Sequence, residues 1–224
     1  MAAHWSYESP HGPAQWGDLD PAYGLCKTGT RQSPIDITEA VANPALGLLA
    51  AKYGRSPAIL VNDGRTVQVN CEKGSSLTVD GCVYDLLQFH FHSPSEHHIA
   101  GTPFDMEVHL VHRDADGNLA VIGIMMVEGA EHLMLATFWD RIPATRTTVD
   151  TGIRICSHDL FPVDWRYYAY DGSLTTPPCT EDVKWFIMKE PVEVSREQID
   201  RFVELIGHNA RPVCPLNGRI VERA

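Results

Sequence analysis

Gln88-Phe89-His90-Phe91-His92 and, a short way downstream, Met106-Glu107-Val108-His109-Leu110-Val111-His112 are the stretches whose reading decides the fold. Both alternate polar and apolar residues with period two, the pattern of strands rather than helices. On the first, Gln88, His90 and His92 share one face, with Leu87, Phe89 and Phe91 on the other. On the second, Glu107, His109 and Val111 oppose Met106, Val108 and Leu110. If the two strands pair, His90, His92 and His109 converge on one point with no fourth protein ligand beside them. Three ligands and an open position is the pattern of a catalytic zinc, one per chain, not of a structural one. A His-x-His pair alone is more often chance in a chain with 11 histidines. Gln88 and Glu107 change the weighing, because each lies two residues before a candidate ligand and on its face. Metal-bound imidazoles usually donate their second N–H to such oxygens.

Outward from this pair, other runs read as strands: Ala58–Val61, Thr66–Cys71, Ser76–Val79, Leu119–Val127, Tyr167–Gly172 and Val183–Met188. The histidine runs extend to Val83–His92 and Phe104–His112. Asp63-Gly64, Asp80-Gly81 and Asp116-Gly117 separate them as turns. Ser195-x-x-Gln198 is a capping box, and Ile199, Phe202, Val203 and Ile206 follow at helical spacing. Glu131 to Trp139 reads as a second helix. The expected class is mainly β (α+β), with a large twisted, mostly antiparallel central sheet and peripheral short helices.

No linker, repeat or low-complexity tract divides the 224 residues, so a single domain over 1–224 is expected. Apolar residues make up 44% of the chain, enough to fill one core, and the net charge is −11. An acidic surface argues against nucleic acid and anionic membranes as partners, and places no obstacle before a neutral substrate. The longest apolar run, Leu119 to Val127, is broken by Gly123 and too short to span a bilayer. Six cysteines occur without any Cys-x-x-Cys, so a thiolate zinc site is not expected. Ser33-Pro34 and Pro177-Pro178 punctuate two loops.

These residues carry a resemblance. Gln88-Phe-His-Phe-His92, Ser95-Glu96-His97, Met106-Glu-Val-His-Leu-Val-His112 and Gly172-Ser-Leu-Thr-Thr-Pro-Pro178 are similar to signatures of the α-class carbonic anhydrases. So are His4-Trp5-Ser6-Tyr7, Gly12-Pro13 with Trp16-Gly17, Arg31-Gln-Ser-Pro-Ile-Asp-Ile37 and Arg211-Pro-Val-Cys-Pro-Leu-Asn217. The matches run in order from about His4 to Val221. The resemblance implies zinc at the base of a conical cleft on the sheet, where zinc-bound hydroxide attacks CO₂ to give bicarbonate and a proton. Ester hydrolysis would be a side activity. It implies that Thr175 accepts a hydrogen bond from that hydroxide and passes its own proton to Glu96, since a carboxylate can only accept. It further implies a backbone acceptor for His92 at Asn209, and a CO₂ wall of Val111, Val121, Leu174, Thr176 and Trp185. Water would be ordered by Tyr7, Asp63 and Gln68, and sulfonamides and anions would inhibit. His97, His98 and His112 read as structural or exposed.

Cys26 and Cys179 match the pair that forms a disulfide in secreted relatives. Closing that loop removes about 5 kcal/mol of unfolded-state entropy on a chain model. The other four, Cys71, Cys82, Cys156 and Cys214, allow three pairings or none and read as mostly buried small residues. The resemblance also implies cis bonds before Pro34 and Pro178. The chain starts Met1-Ala2-Ala3-His4 without a leader pattern. Because the matching residues begin at His4, a trimmed signal peptide with Met1 added is expected, and with it a periplasmic or secreted protein of the bacterial branch. Oligomeric state is left open, a dimer included.

One position departs. Efficient relatives carry a histidine after the Asn-Gly of the segment matching Val61-Asn62-Asp63-Gly64, where it relays the proton to buffer. Here that residue is Arg65, and a guanidinium cannot relay. A reduced or buffer-dependent turnover is expected. The competing readings are a non-catalytic binding module on the same fold and a zinc-storing protein; both would have to explain His90, His92, His109, Thr175 and Glu96 together.

Overall fold

A computed structural model describes residues 3–224; the expectation that Met1 is an addition lies outside them. Thirteen strands form one sheet. At its centre Cys82–His92 pairs antiparallel with Met106–Arg113. That strand pairs antiparallel with Leu119–Glu128, which runs parallel to Glu181–Met188. The sheet is therefore mixed, although antiparallel pairs dominate as expected. It continues through Tyr167–Ser173 on one side and through Val67–Asn70, Arg55–Asn62 and Thr147–Cys156 on the other.

The two faces differ. One buries a large apolar layer that includes Phe89, Phe91, Val108, Leu110, Ile122 and Phe202. The other carries a smaller cluster of Val111, Val121, Trp185, Ile35 and Ile37, and it is on this side that the histidines stand. Period-two alternation alone would place Leu87 with Phe89 and Phe91. The structure corrects this, because the register shifts between Leu86 and Gln88. Leu87 is the extra residue of a bulge, so Tyr84 and Leu86 take the core side with the two phenylalanines.

The strand Thr147–Cys156 was not legible in the sequence. Asp150-Thr151-Gly152 interrupts it as an irregularity between Asp150 and Arg154. Gly152 adopts φ 68°, and Thr151 Oγ1 donates to Ala58 O at 2.9 Å. The capping box forms as read: Ser195 Oγ accepts from Gln198 N–H and Gln198 Oε1 from Ser195 N–H, opening the helix Arg196–Ile206. The helix buries Ile199 and Phe202, the latter beside Phe91. The expected helix from Glu131 to Trp139 shrinks to one turn, Leu133–Ala136, followed by a 3-10 turn at Trp139–Arg141. Phe138 and Trp139 are drawn into the core instead, and Trp139 Nε1 donates to Gln198 O at 2.9 Å. Tertiary packing overrides local propensity here.

Cys26 and Cys179 are disulfide-bonded, with Cα atoms 5.0 Å apart across 153 residues of sequence. The other four cysteines are free, none is fully buried, and Cys82 is exposed, which corrects the reading of them as buried small residues. Peptide bonds before Pro34 and Pro178 are cis, as are those before Pro10 and Pro94. No helix among the described residues is long and apolar enough to cross a membrane.

His112 sits in the core with no exposed surface. It bonds Tyr53 Oη at 2.9 Å and Ala120 O at 3.3 Å. Burial pushes its pKa down from 6.5 to about 4. Between those values the unfolded chain binds the proton and the folded one does not, so stability falls as the pH drops through that window. The loss amounts to about 3 kcal/mol at about 1.4 per unit. Denaturant unfolding at pH 7 and pH 4.5 should show a smaller acid-side loss for His112→Gln than for the parent, and equal losses would refute it.

Candidate metal centre

Register builds the site. His90 lies directly opposite His109, and His92 opposite Glu107, so three rings meet over one patch of sheet. One ring nitrogen from each of His90, His92 and His109 lies within 4.8 Å of the others. The second nitrogen of each ring is engaged. His90 Nδ1 meets Gln88 Oε1 at 2.9 Å, His92 Nδ1 meets Asn209 O at 2.8 Å, and His109 Nε2 meets Glu107 Oε1 at 2.8 Å. All three partners can only accept, so each ring donates there and turns its lone pair inward: Nε2 of His90 and His92, Nδ1 of His109.

Electrostatics favour the neutral form at His90 and His92. Burial, then the neighbouring imidazoles, lowers His90 well below the usual histidine range, and burial likewise lowers His92. Burial also pulls His109 down, but the charge and hydrogen bond of Glu107 outweigh it and the net shift is upward. The buried Nε2 of His92 has no hydrogen-bond partner. An orphaned buried polar atom is costly, and here it is one of three converging lone pairs. All-nitrogen donors, no thiolate and a fourth direction left open suit zinc of the catalytic kind; the three histidines form a metal site of that type.

Glu107 holds this arrangement from behind. Its Oε2 accepts the backbone N–H of Glu96 and of His97, both at 2.9 Å, and its Oε1 accepts from His97 Nδ1 and His109 Nε2, both at 2.8 Å. Burial alone would raise its pKa, yet His97 and His109 together bring it well below the carboxylate range. His97, Glu107 and His109 are thus a hydrogen-bonded set rather than a second metal site. With Nδ1 donating, His97 Nε2 accepts from Tyr170 Oη at 2.6 Å, and Tyr170 Oη in turn accepts from Ser33 Oγ at 2.8 Å. Ser33 Oγ then accepts Ser173 N–H at 3.0 Å. Gly123 makes room for this, since a Cβ there would stand 2.8 Å from Glu107 Oε1. Reading the chain for ligands alone misses Tyr170, Ser33 and Gly123. Their only signals are the motifs around Ser33 and Ser173 and a glycine interrupting an apolar strand.

The remaining candidates fall around the rings unevenly. Thr175 and Glu96 are both buried, but the hydrogen bond expected between them is not formed. Glu96 Oε1 accepts Arg211 N–H at 2.9 Å. Its Oε2 lies 3.5 Å from His92 Nε2 and 3.9 Å from His109 Nδ1, without a hydrogen-bond partner. Val111, Val121, Trp185 and Leu174 gather in one cluster, with Val121 opposite both Val111 and Trp185. The Trp185 and His109 ring centres are 4.9 Å apart. Thr176 is partly exposed.

Gln68 neighbours His90 in register, but its amide donates to Asn70 Oδ1 at 2.6 Å. Tyr7 is pushed well above the usual phenol range by burial, then by the charges of Glu96 and Asp63. The Asp63 carboxylate is taken up by the Arg65 and Thr66 N–H groups and by the Arg65 guanidinium. Arg65 lies over the Trp5 ring, 4.1 Å from its centre.

Comparison with known proteins follows the same lines. The family described as eukaryotic-type carbonic anhydrase matches residues 11–224. A carbonic anhydrase of Pectobacterium atrosepticum is 43% identical over 222 residues, covering 98% of this chain and 91% of that protein. One of Neisseria gonorrhoeae is 40% identical over 220 residues, covering 97% and 87%. The α-carbonic anhydrase of Thermovibrio ammonificans, solved with the inhibitor sulfanilamide, superposes with a TM-score of 0.96 at 42% identity, covering 99% of this chain and all of that one.

Replacing Glu107 by Gln puts an amide N–H where four donors already point. Zinc affinity should fall 10- to 100-fold, as read by competition with a chromogenic chelator. An unchanged affinity would show that His109 needs no such backing.

Proposed function

Because this chain belongs to the eukaryotic-type (α) carbonic anhydrase family, and is an enzyme of reversible CO₂ hydration, we propose how its own residues divide the work. The reading rests on one observation: three ring lone pairs are turned to one point, each by an acceptor-only oxygen behind it. His90, His92 and His109 would hold zinc, which would supply a Lewis acid able to bring a water to a pKa of about 7, a value general to carbonic anhydrases. Neutral nitrogen donors suit this, because thiolates or carboxylates would pass charge to the cation.

Thr175 orients the reacting oxygen. Its hydroxyl accepts the hydrogen offered there and donates its own O–H in a hydrogen bond to Glu96 Oε2, which has no competing partner. A carboxylate cannot donate back, so the pair also selects ligands that carry a hydrogen. Val111, Val121, Leu174, Thr176 and Trp185 give uncharged CO₂ a wall beside His109. Gln88, Glu107 and Asn209 keep the three rings in their tautomers. Tyr7, Asp63 and Gln68 border the path by which the proton leaves. The inhibition that sulfanilamide exerts on the Thermovibrio enzyme is extended to this chain, and ester hydrolysis is a side activity of the same centre. The Cys26–Cys179 bridge suits an oxidising compartment, hence periplasm or secretion.

Arg65 occupies the place of the relay histidine. Salt-bridged to Asp63 and stacked on Trp5, it is a fixed cation rather than a carrier. Proton loss from a group of pKa about 7 straight to bulk water is capped near 10³ s⁻¹, because recapture proceeds at roughly 10¹⁰ M⁻¹s⁻¹. About 10⁶ s⁻¹ is reached by the class with a relay.

Stopped-flow CO₂ hydration should vanish with a zinc chelator and return with added zinc; hydration by metal-free protein would overturn the proposal. Zinc bound without any hydration would point instead to a storage protein. Arg65→His should raise kcat tenfold or more at low buffer and leave kcat/KM within twofold. An unchanged kcat would mean that another group, such as the neighbouring His4 and His11 (ring centres 5.6 Å apart), already carries the proton.

A further inference from the structure

Glu96 and Thr175 come from distant parts of the chain, and what sets one against the other lies outside the metal ligands. Arg211 donates its backbone N–H to Glu96 Oε1 at 2.9 Å. Its side chain is buried, with the residue only 5% exposed, yet the guanidinium meets neutral oxygens: Gln32 Oε1 at 2.9 Å, Ser33 O at 2.7 Å and Cys26 O at 3.1 Å. A buried cation without a carboxylate on its head is a poor source of stability. What a planar fork with several donors does well is hold several acceptors at fixed angles.

Gln32 uses its other end on the opposite segment. Its Nε2 donates to Cys179 O at 3.0 Å. Cys179 donates its own N–H to Thr176 O at 2.9 Å, closing the turn that carries Thr175. The Cys179 sulfur is bonded to Cys26, whose carbonyl takes Arg211 Nη2. Arg211, Gln32, Cys179 and Cys26 thus form a closed ring. Three of its links are hydrogen bonds and the fourth is covalent.

We propose that this ring is a positioning device: it fixes Glu96 Oε1 through Arg211 and the Thr175 turn through Cys179, and so sets the angle at which Glu96 Oε2 meets the Thr175 hydroxyl that faces the reacting oxygen. Arg211 and Gln32 touch no substrate and act through those two residues. The proposal rests on the assignment of Thr175 and Glu96 given above.

The test is Gln32→Met in the zinc-loaded, disulfide-bonded protein, which keeps side-chain length and removes all three hydrogen bonds of the amide, the one from Nε2 to Glu181 Oε1 at 3.1 Å included. Expected are a kcat/KM for CO₂ hydration lowered about tenfold, and unchanged zinc content and circular dichroism. Affinity for sulfanilamide, which offers an N–H to Thr175, should fall at least tenfold more than affinity for thiocyanate, which has no hydrogen to offer. An unchanged kcat/KM, or an equal loss for both ligands, overturns the proposal. Thr175→Ala and Glu96→Gln separate the two levels. If they leave kcat/KM intact, the underlying assignment fails; if they lower it while Gln32→Met does not, the ring alone fails. Should Gln32→Met not fold, reducing the bridge of the native enzyme with a dithiol opens the same ring, and an unchanged sulfanilamide-to-thiocyanate ratio then overturns it.

Discussion

A carboxylate, Glu107, is buried with no exposed surface at the centre of this protein. Removing such a charge from water costs several kcal/mol even after relaxation. Four hydrogen bonds answer it, at about 1.5–3 kcal/mol each for bonds to a charged group, which is enough to offset that cost. Two come from backbone N–H groups of Glu96 and His97 and two from the rings of His97 and His109. The same four bonds seat the Glu96 loop beside the metal site and fix the tautomer of one ligand. Any residue that loosened Glu107 would disturb both.

From this hub the polar groups run in two directions, and the apolar ones keep them apart. His97, Tyr170 and Ser33 lead to the strand end at Ser173, from which the Thr175 turn begins. Arg211, Gln32 and the disulfide approach that turn from the other side. Trp185 lies between, against both His97 and His109. It presents an apolar surface to the site while its own N–H is satisfied by Ser173 O.

Much of this was legible beforehand. The histidine spacing, the faces they share and the acceptors at Gln88 and Glu107 all follow from period two on two strands. The capping box named its helix. Other features were hidden for identifiable reasons. The bulge at Leu87 leaves no mark in a row of apolar residues, so the core side of that strand was misread by one position. Asp150-Thr151-Gly152 has turn chemistry that the edge strand absorbs as an irregularity. The segment from Glu131 lost most of its helix because Phe138 and Trp139 gain more from the core than from continuing it.

By itself the sequence determined the local terms: which side chains alternate, which residues can ligate zinc, and that position 65 holds an arginine. Such facts depend on neighbours along the chain. Only the tertiary structure decided what closes around them. His92 takes its acceptor from Asn209, 117 residues away. Glu96 takes a donor from Arg211 at a separation of 115, and Arg211 meets Gln32 across 179. Hydrogen bonds at such separations exist only once the sheet has set its register and the loops have closed. No local pattern can encode them, because their energy is realised in the folded state alone.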